Sequence, residues 1–180
     1  MKRKIKELMR GFSDIAVVNQ DSTLFETLLE IGVIRERTGD GHKCPAALVV
    51  DGKENVAGFL DFRNILKGLE PKYGEIVDTA QKGGFPPNRI RSELEKLGLW
   101  EDPFEEICNK AGGTQVKSLM TIPEEDQITD ADASVDEVIH QMIVTGRSYL
   151  FVRNGNALTG VVSLSDIMTY VSDTVKGCRI

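Results

Sequence analysis

The sequence predicts an α/β fold of the α+β kind, built from two related β-α-β-β-α units packed as a pseudo-two-fold pair with a helical insertion between them. Three observations carry that prediction: a gapless internal repeat, a capped amphipathic helix at the same place in each copy, and a hairpin in each copy that feeds a second helix.

"IKELMRGFSDIAVVNQDSTLFETLLEI" (Ile5 to Ile31) aligns with "VKSLMTIPEEDQITDADASVDEVIHQM" (Val116 to Met142) at a constant offset of 111. Lys6 matches Lys117, Leu8 matches Leu119, Met9 matches Met120, Asp21 matches Asp132, and Glu26 matches Glu137. Each copy opens on a leading segment. In the first it is expected to be a basic helix, with Ile5, Leu8, Met9 and Phe12 at helical spacing. Its equivalent is not basic, so packing on the module is expected rather than contact with a membrane. A short apolar strand follows (Ala16–Val18; Gln127–Thr129), then an acidic turn and a capping box, Thr23-x-x-Glu26 or Ser134-x-x-Glu137, which opens a helix. In the second copy Val135, Val138, Ile139, Met142 and Ile143 mark one buried helical face.

The hairpin strands are "ALVVD" and "NVAGFL" in the first copy, turning at Asp51-Gly52, and "SYLFV" and "ALTGVV" in the second, turning at Asn154-Gly155. The final helices are "DFRNILKGL" and "SLSDIMTYV". The first copy carries about nine extra residues around "RERTGDGHK", a composition suited to a surface loop. The expected division is 1–70 for the first repeat, 71–113 for the insertion and 114–180 for the second repeat. Within the insertion, "GGFPPN" is a loop and "RIRSELEKLG" a helix capped by Gly98. "EDPFEEICNKAGG" is a helix with Asp102 as N-cap and Pro103 at its first position. Trp100, between those helices, either anchors the insertion or belongs to a partner surface.

Hydrophobic residues make up 41% of the chain and charged residues 28%, an ordinary globular composition, and the net charge of −6 argues against nucleic acid as a partner. The N-terminal basic stretch lacks a following apolar region and does not read as a secretory signal. No apolar run approaches the ~20 residues that span a bilayer. A cytoplasmic protein is expected. Cys44, Cys108 and Cys178 have no zinc-ligand spacing, and no further ligands join His42 and Cys44, so no metal site is expected. "DADASVDE" fails as a calcium loop because Val135 stands where glycine is needed and Gln141 where a bidentate glutamate is needed. There is no P-loop and no dinucleotide fingerprint, and no nucleophile–base set suggests catalysis, so an enzyme is not expected. His140 falls inside a helical pattern, where it is expected at or near the surface.

"GVVSLSDIM" (Gly160 to Met168) ends an apolar run on a hydroxyl and places a carboxylate three residues on. Ser163-x-x-Asp166 has the form of a capping box, and that alone accounts for both residues. An anionic ligand is the other reading, since a helix N-terminus offers free amides and partial positive charge.

Both copies resemble CBS domains, named after cystathionine β-synthase, and two in tandem resemble a Bateman module, the regulatory pair of several enzymes, transporters, channels and the AMP-activated kinase. The resemblance covers about residues 1–70 and 114–175 and rests on the repeat and its element order. Adenosine ligands in that family are held by a motif of the form Gly-h-x-Ser/Thr-x-x-Asp, which Gly160, Val161, Ser163 and Asp166 match. The resemblance implies that Asp166 binds the ribose hydroxyls and Ser163 the phosphate. It points to Gln127, Ile128, Thr129, Ser148 and Tyr149 for the adenine, with Tyr149 equally suited to the interface between the copies. Arg147 or Arg153 would offset phosphate charge. The first copy departs from the pattern, with Asp61 where Ser163 stands and Asn64 where Asp166 stands. A carboxylate is a poor phosphate neighbour, so that junction is expected to be empty or to take a different ligand.

The function these readings imply is a regulatory module, with no required cofactor, that senses an adenosine nucleotide (AMP, ADP or ATP) and signals to an unidentified protein partner. A homodimer is implied by the family. The rival readings are a ligand-independent dimerisation and interaction scaffold, an S-adenosylmethionine sensor, and a fragment of a larger enzyme.

Overall fold

The computed structural model describes residues 3–39, 46–74, 92, 95–96, 98–100 and 104–177. His42, Cys44, Asp102, Pro103, Cys178, the "GGFPPN" loop and most of the expected "RIRSELEKLG" helix lie outside the described residues. The strands are β1 (Arg10–Gly11), β2 (Ala16–Asn19), β3 (Ala47–Val50), β4 (Val56–Leu60), β5 (Ile128–Asp130), β6 (Tyr149–Asn154) and β7 (Ala157–Ser163). The α-helices are α1 (Leu24–Thr38), α2 (Phe62–Leu69), α3 (Phe104–Gly113), α4 (Val135–Thr145) and α5 (Leu164–Lys176).

The repeat is visible in the topology. One sheet has the order β2-β3-β4, the other β1-β7-β6-β5. In each, the first strand of the repeat runs parallel to the second, and the second pairs antiparallel with the third. Both capping boxes form: the Thr23 hydroxyl accepts from the Glu26 amide at 3.2 Å, and the Ser134 amide and hydroxyl donate to the Glu137 carboxylate at 2.8 and 2.7 Å.

The two sheets meet face to face through Ile15, Leu48, Phe59, Tyr149, Phe151 and Val161. Phe59 packs edge-on to Tyr149, with ring centroids 6.0 Å apart, and tilted against Phe151 at 5.0 Å. The opposite face of each sheet is covered by its own helices, giving two further clusters: one around Leu24, Val49, Leu60 and Ile65, the other around Val138, Met142, Leu150 and Val162.

The leading segments change sides. Ile5 is buried in the cluster of the second repeat, and Val116 in that of the first. The backbone bonds are reciprocal. Ile5 and Lys6 donate to the carbonyls of Ala133 and Ala131, and the matched Val116 and Lys117 donate to those of Ser22 and Gln20. The first leading segment is not the expected helix. It is a 3-10 turn at Ile5–Glu7 followed by β1, which pairs antiparallel with β7, Arg10 opposite Val161 and Gly11 opposite Gly160. Its equivalent, Thr121, bridges to Phe59 at the edge of the first sheet. Apolar spacing marked which side chains are buried, but the free edge strand of the other copy supplies backbone partners that a helix would forgo.

The exchange explains two pairs of residues matched in the repeat. Lys6 lies 2.9 Å from Asp132, and Lys117 lies 2.9 Å from Asp21. Lys4 adds a second contact to Asp132 at 2.7 Å. The hydrogen bonds and charges of Lys4 and Lys6 pull the Asp132 carboxyl down from 3.8 to about 2. A carboxylate with a depressed folded-state pKa contributes stability above its unfolded value and loses it as pH falls through the folded one. The Asp132 contribution is therefore complete above about pH 4 and lost toward pH 2. Carbon-13 detected titration should place its midpoint near 2, moving up in Lys6→Ala.

Both hairpin turns differ from expectation by one residue or more. Asn154 pairs with Ala157, so the second turn is Gly155-Asn156, with Gly155 at φ 61°. The first is longer: the Asp51 side chain accepts from the amides of Lys53 and Asn55, and Glu54 takes the positive φ of 63°. The Asp51 carboxylate builds a local turn that competes with the two-residue loop.

From the insertion, α3 packs on α1 and α2. Trp100 anchors it. The Trp100 indole N–H donates to the Tyr73 hydroxyl at 2.9 Å, and its amide to the buried Glu70 carboxylate at 3.3 Å.

Candidate functional site

β7 carries an apolar run whose last residues alternate between the two buried faces, Val161 toward the facing sheet and Val162 toward the helices. The run ends at Ser163, which is extended and caps α5. The capping box forms. The Ser163 amide donates to Asp166 Oδ2 at 2.8 Å, the Ser163 hydroxyl donates to the same oxygen at 2.6 Å, and the Asp166 amide donates to Ser163 Oγ at 3.3 Å. The Leu164 amide is also taken, by the Ser148 carbonyl at 2.9 Å. The helix start thus already satisfies two of the amides that an anion would seek.

The exchanged leading segment adds a residue that the sequence reading missed. Arg10, on β1, reaches over the junction: its Nη2 donates to Asp166 Oδ2 at 3.1 Å and to Ser163 Oγ at 3.2 Å. The pair is largely shielded, with Arg10 and Asp166 side chains 19% and 21% exposed. Among the described residues the side-chain contacts of Asp166 all fall on Oδ2, which leaves Oδ1 without a protein partner there. The repeat offset places Arg10 opposite Thr121, the one signal that could have found it.

Gly160 has a structural reason to be glycine. A Cβ there would stand 2.4 Å from the Arg10 carbonyl oxygen. Gly58, its counterpart in β4, would bring a Cβ to 2.8 Å from the Thr121 carbonyl oxygen. Each glycine lets the other copy's leading segment lie against its strand, which holds Arg10 and Thr121 at the two junctions.

The other expected residues divide. Tyr149 sits directly opposite Ser163 in the β6–β7 register, but its ring is in the interface between the sheets. Ile128 joins that interface from β5. Thr129 is opposite Val152, on the helix-covered face, so its side chain and that of Ile128 point to opposite sides of the sheet. Gln127 closes a 3-10 turn, where its side-chain Oε1 accepts from the Glu124 amide at 3.3 Å. Ser148 is exposed and next to the junction. Arg147 is committed to Glu124 and Asp126, and Arg153 lies 3.8 Å from Glu125. Neither contacts Ser163 or Asp166, so the guanidinium at the junction is that of Arg10.

At the first junction Asp61 caps α2, accepting from the Asn64 amide at 2.8 Å, while its own amide donates to the Asn64 side chain at 3.0 Å. The Asn64 side-chain Nδ2 lies 3.5 Å from Thr121 Oγ1. The two junctions share geometry and differ in charge: Arg10, Ser163 and Asp166 in one, Thr121, Asp61 and Asn64 in the other.

An open groove of about 520 Å³ flanks Asp166, bounded by Arg3, Glu7, Leu8, Thr169, Tyr170, Asp173 and Thr174. Among the described residues no three His, Cys, Asp or Glu side chains are placed to hold a metal ion. No helix among them is long and apolar enough to cross a membrane.

Residues 116–173 match the family model described as CBS domain. No curated protein matches the chain in sequence. Solved structures match nearly its whole length. A CBS domain-containing protein of unknown function from Kribbella flavida is 18% identical over 94% of this chain and 98% of its own, with a TM-score of 0.57. An uncharacterized conserved protein from Pyrococcus horikoshii is 15% identical over 100% of this chain and 96% of its own, with a TM-score of 0.55. CBSX2, solved in complex with AMP, is 14% identical over 96% of this chain and 98% of its own, with a TM-score of 0.56.

Proposed function

From a chain whose residues 116–173 are a CBS domain, set within the fold of a tandem CBS pair, we infer a regulatory module that binds an adenine nucleotide at the β7–α5 junction and acts by binding rather than catalysis. The observation that carries this reading is the cluster of Ser163, Asp166 and Arg10. It joins the family's nucleotide motif to a cation held beside it. Asp166 Oδ1 is available to a ribose hydroxyl, a charge-assisted bond. That CBSX2 binds AMP on this fold supports the choice of ligand class. The first junction puts the Asp61 carboxylate where a phosphate would lie and offers Thr121 in place of a cation. One nucleotide per chain is therefore expected without divalent ions. Nucleotide binding would favour one arrangement of the two repeats, and a protein partner would read the difference.

Calorimetry with AMP, ADP, ATP and S-adenosylmethionine tests the reading. Saturable binding of at least one adenine nucleotide, abolished or strongly weakened in Asp166→Ala, is the expected result. Heats indistinguishable from dilution for all four would leave the chain as an interaction scaffold.

Self-association has its own support. Phe25, Leu29 and Val33 on α1 and Phe62 and Leu66 on α2 are between 44% and 58% exposed at i, i+4 spacing, and Leu164 and Met168 repeat the pattern on α5. Apolar side chains in such rows mark interaction surfaces. A homodimer is the expected state, and light scattering at micromolar concentration should give twice the monomer mass of 19.9 kDa. A monomer there would count against it.

A further inference from the structure

We propose that Arg10 determines the specificity of the β7–α5 junction, selecting an adenosine ligand that carries an anionic phosphate on its ribose and exchanging its contact with Asp166 for one with that phosphate. This rests on the nucleotide reading above and deepens it.

Three observations carry it. First, Arg10 is held by its backbone rather than by its charge. β1 pairs with β7, and the Arg10 carbonyl packs into the space left by Gly160, so the guanidinium stays at the junction whichever anion it meets. Second, its hydrogen bonding is half used. Nη2 serves Asp166 and Ser163, while the buried Nε has no partner among the described residues. Nε and Nη2 form one edge of the guanidinium, the edge that grips two oxygens of a phosphate side by side. A phosphate there would satisfy the orphaned Nε–H and release Asp166 Oδ2, so that both carboxylate oxygens could accept from the ribose. Third, the amides of Leu164 and Asp166 are already bonded, which leaves Arg10 as the charged donor for a phosphate beside Ser163.

The same geometry disfavours a ligand with positive charge at the ribose 5′ position, such as a sulfonium, because it would meet the guanidinium. The other junction has Thr121 at the equivalent place and lacks this selection.

Calorimetry with adenosine and AMP, without divalent cations, on the full chain and on Arg10→Thr and Arg10→Lys decides the matter. Threonine copies the residue present at the other junction, and thermal melts establish that each variant is folded. The unmodified chain should prefer AMP over adenosine by at least about tenfold. R10T should lose about 10- to 150-fold in AMP affinity, the range of bonds to charged groups, and keep its adenosine affinity, so that the preference collapses toward one. R10K should retain part of it, because a point charge replaces the two-toothed edge. If the unmodified chain binds AMP and R10T binds it equally well, Arg10 only neutralises Asp166 and the proposal fails while the nucleotide site stands. Equal affinity of the unmodified chain for AMP and adenosine has the same meaning. If neither compound binds the unmodified chain, both readings fail together.

Discussion

Asp166→Ala should weaken AMP binding by about 1.5–3 kcal/mol, roughly 10- to 150-fold, the scale of hydrogen bonds to an ionised group. The carboxylate is also a structural hub. Its Oδ2 accepts from the Ser163 amide, the Ser163 hydroxyl and Arg10. Its removal costs the cap on α5 as well, about 1 kcal/mol for a capping contact, and the thermal midpoint should fall by a few degrees. Asp166→Asn separates the two effects. An amide oxygen still accepts from the Ser163 amide, as Asn64 does from Asp61 at the other junction, but it carries no charge to offset Arg10. Asp166→Asn should keep most of the stability and lose the charge-assisted part of the ribose contact, so that AMP affinity falls less than in Asp166→Ala. A midpoint that drops with affinity unchanged in both variants would reduce "GVVSLSDIM" to a helix cap.

Among the described glycines, Gly160→Ala is expected to be the most damaging, because its closest contact is a main-chain atom. The added Cβ would lie 2.4 Å from the Arg10 carbonyl oxygen, a main-chain atom that no rotamer change can move. Either β1 shifts away from β7 or the strand distorts. Overpacking of this kind costs about 1–3 kcal/mol. Because β1 carries Arg10, the same change should lower AMP affinity although the substituted residue is buried beneath the leading segment. Gly58→Ala, with the Thr121 carbonyl at 2.8 Å, should destabilise less and leave AMP affinity nearly unchanged, since it touches the other junction. Urea melts and AMP titrations on both variants check this. A Gly160→Ala chain as stable as the parent would mean that β1 does not lie where it is described.

Much of this architecture was legible in the sequence because it rests on local signals. The capping boxes at Thr23 and Ser134, the two hairpins and the apolar face of α4 are set by residues within a few positions of one another, although Ile143, expected on that face, lies one position past Met142 and is 73% exposed. The equivalence of the copies follows from the offset alone. What was not legible depends on where a segment goes after it leaves its own repeat. The matched Lys6 and Asp132 looked like two separate likenesses between the copies; they are partners across the exchange. Gly160 matched a ligand motif, and the close approach of Arg10 to it appears only once β1 is seated. Arg10 itself stood in a leading segment expected only to pack on the module, and Arg147 and Arg153 were nearer in sequence to the expected site. Glu124, Asp126 and Glu125, on a turn with no obvious role, take up those two arginines.

The central claim is that one adenine nucleotide occupies the junction of Arg10, Ser163 and Asp166 and leaves that of Thr121, Asp61 and Asn64 empty. A crystal structure of the full chain with AMP, grown without divalent cations, tests it most directly. One AMP per chain is expected, with its ribose on Asp166 and its phosphate on the Nε–Nη2 edge of Arg10 beside Ser163. AMP bound instead at Asp61 and Asn64, or bound at the second junction with Arg10 still on Asp166 and the phosphate directed elsewhere, would contradict it.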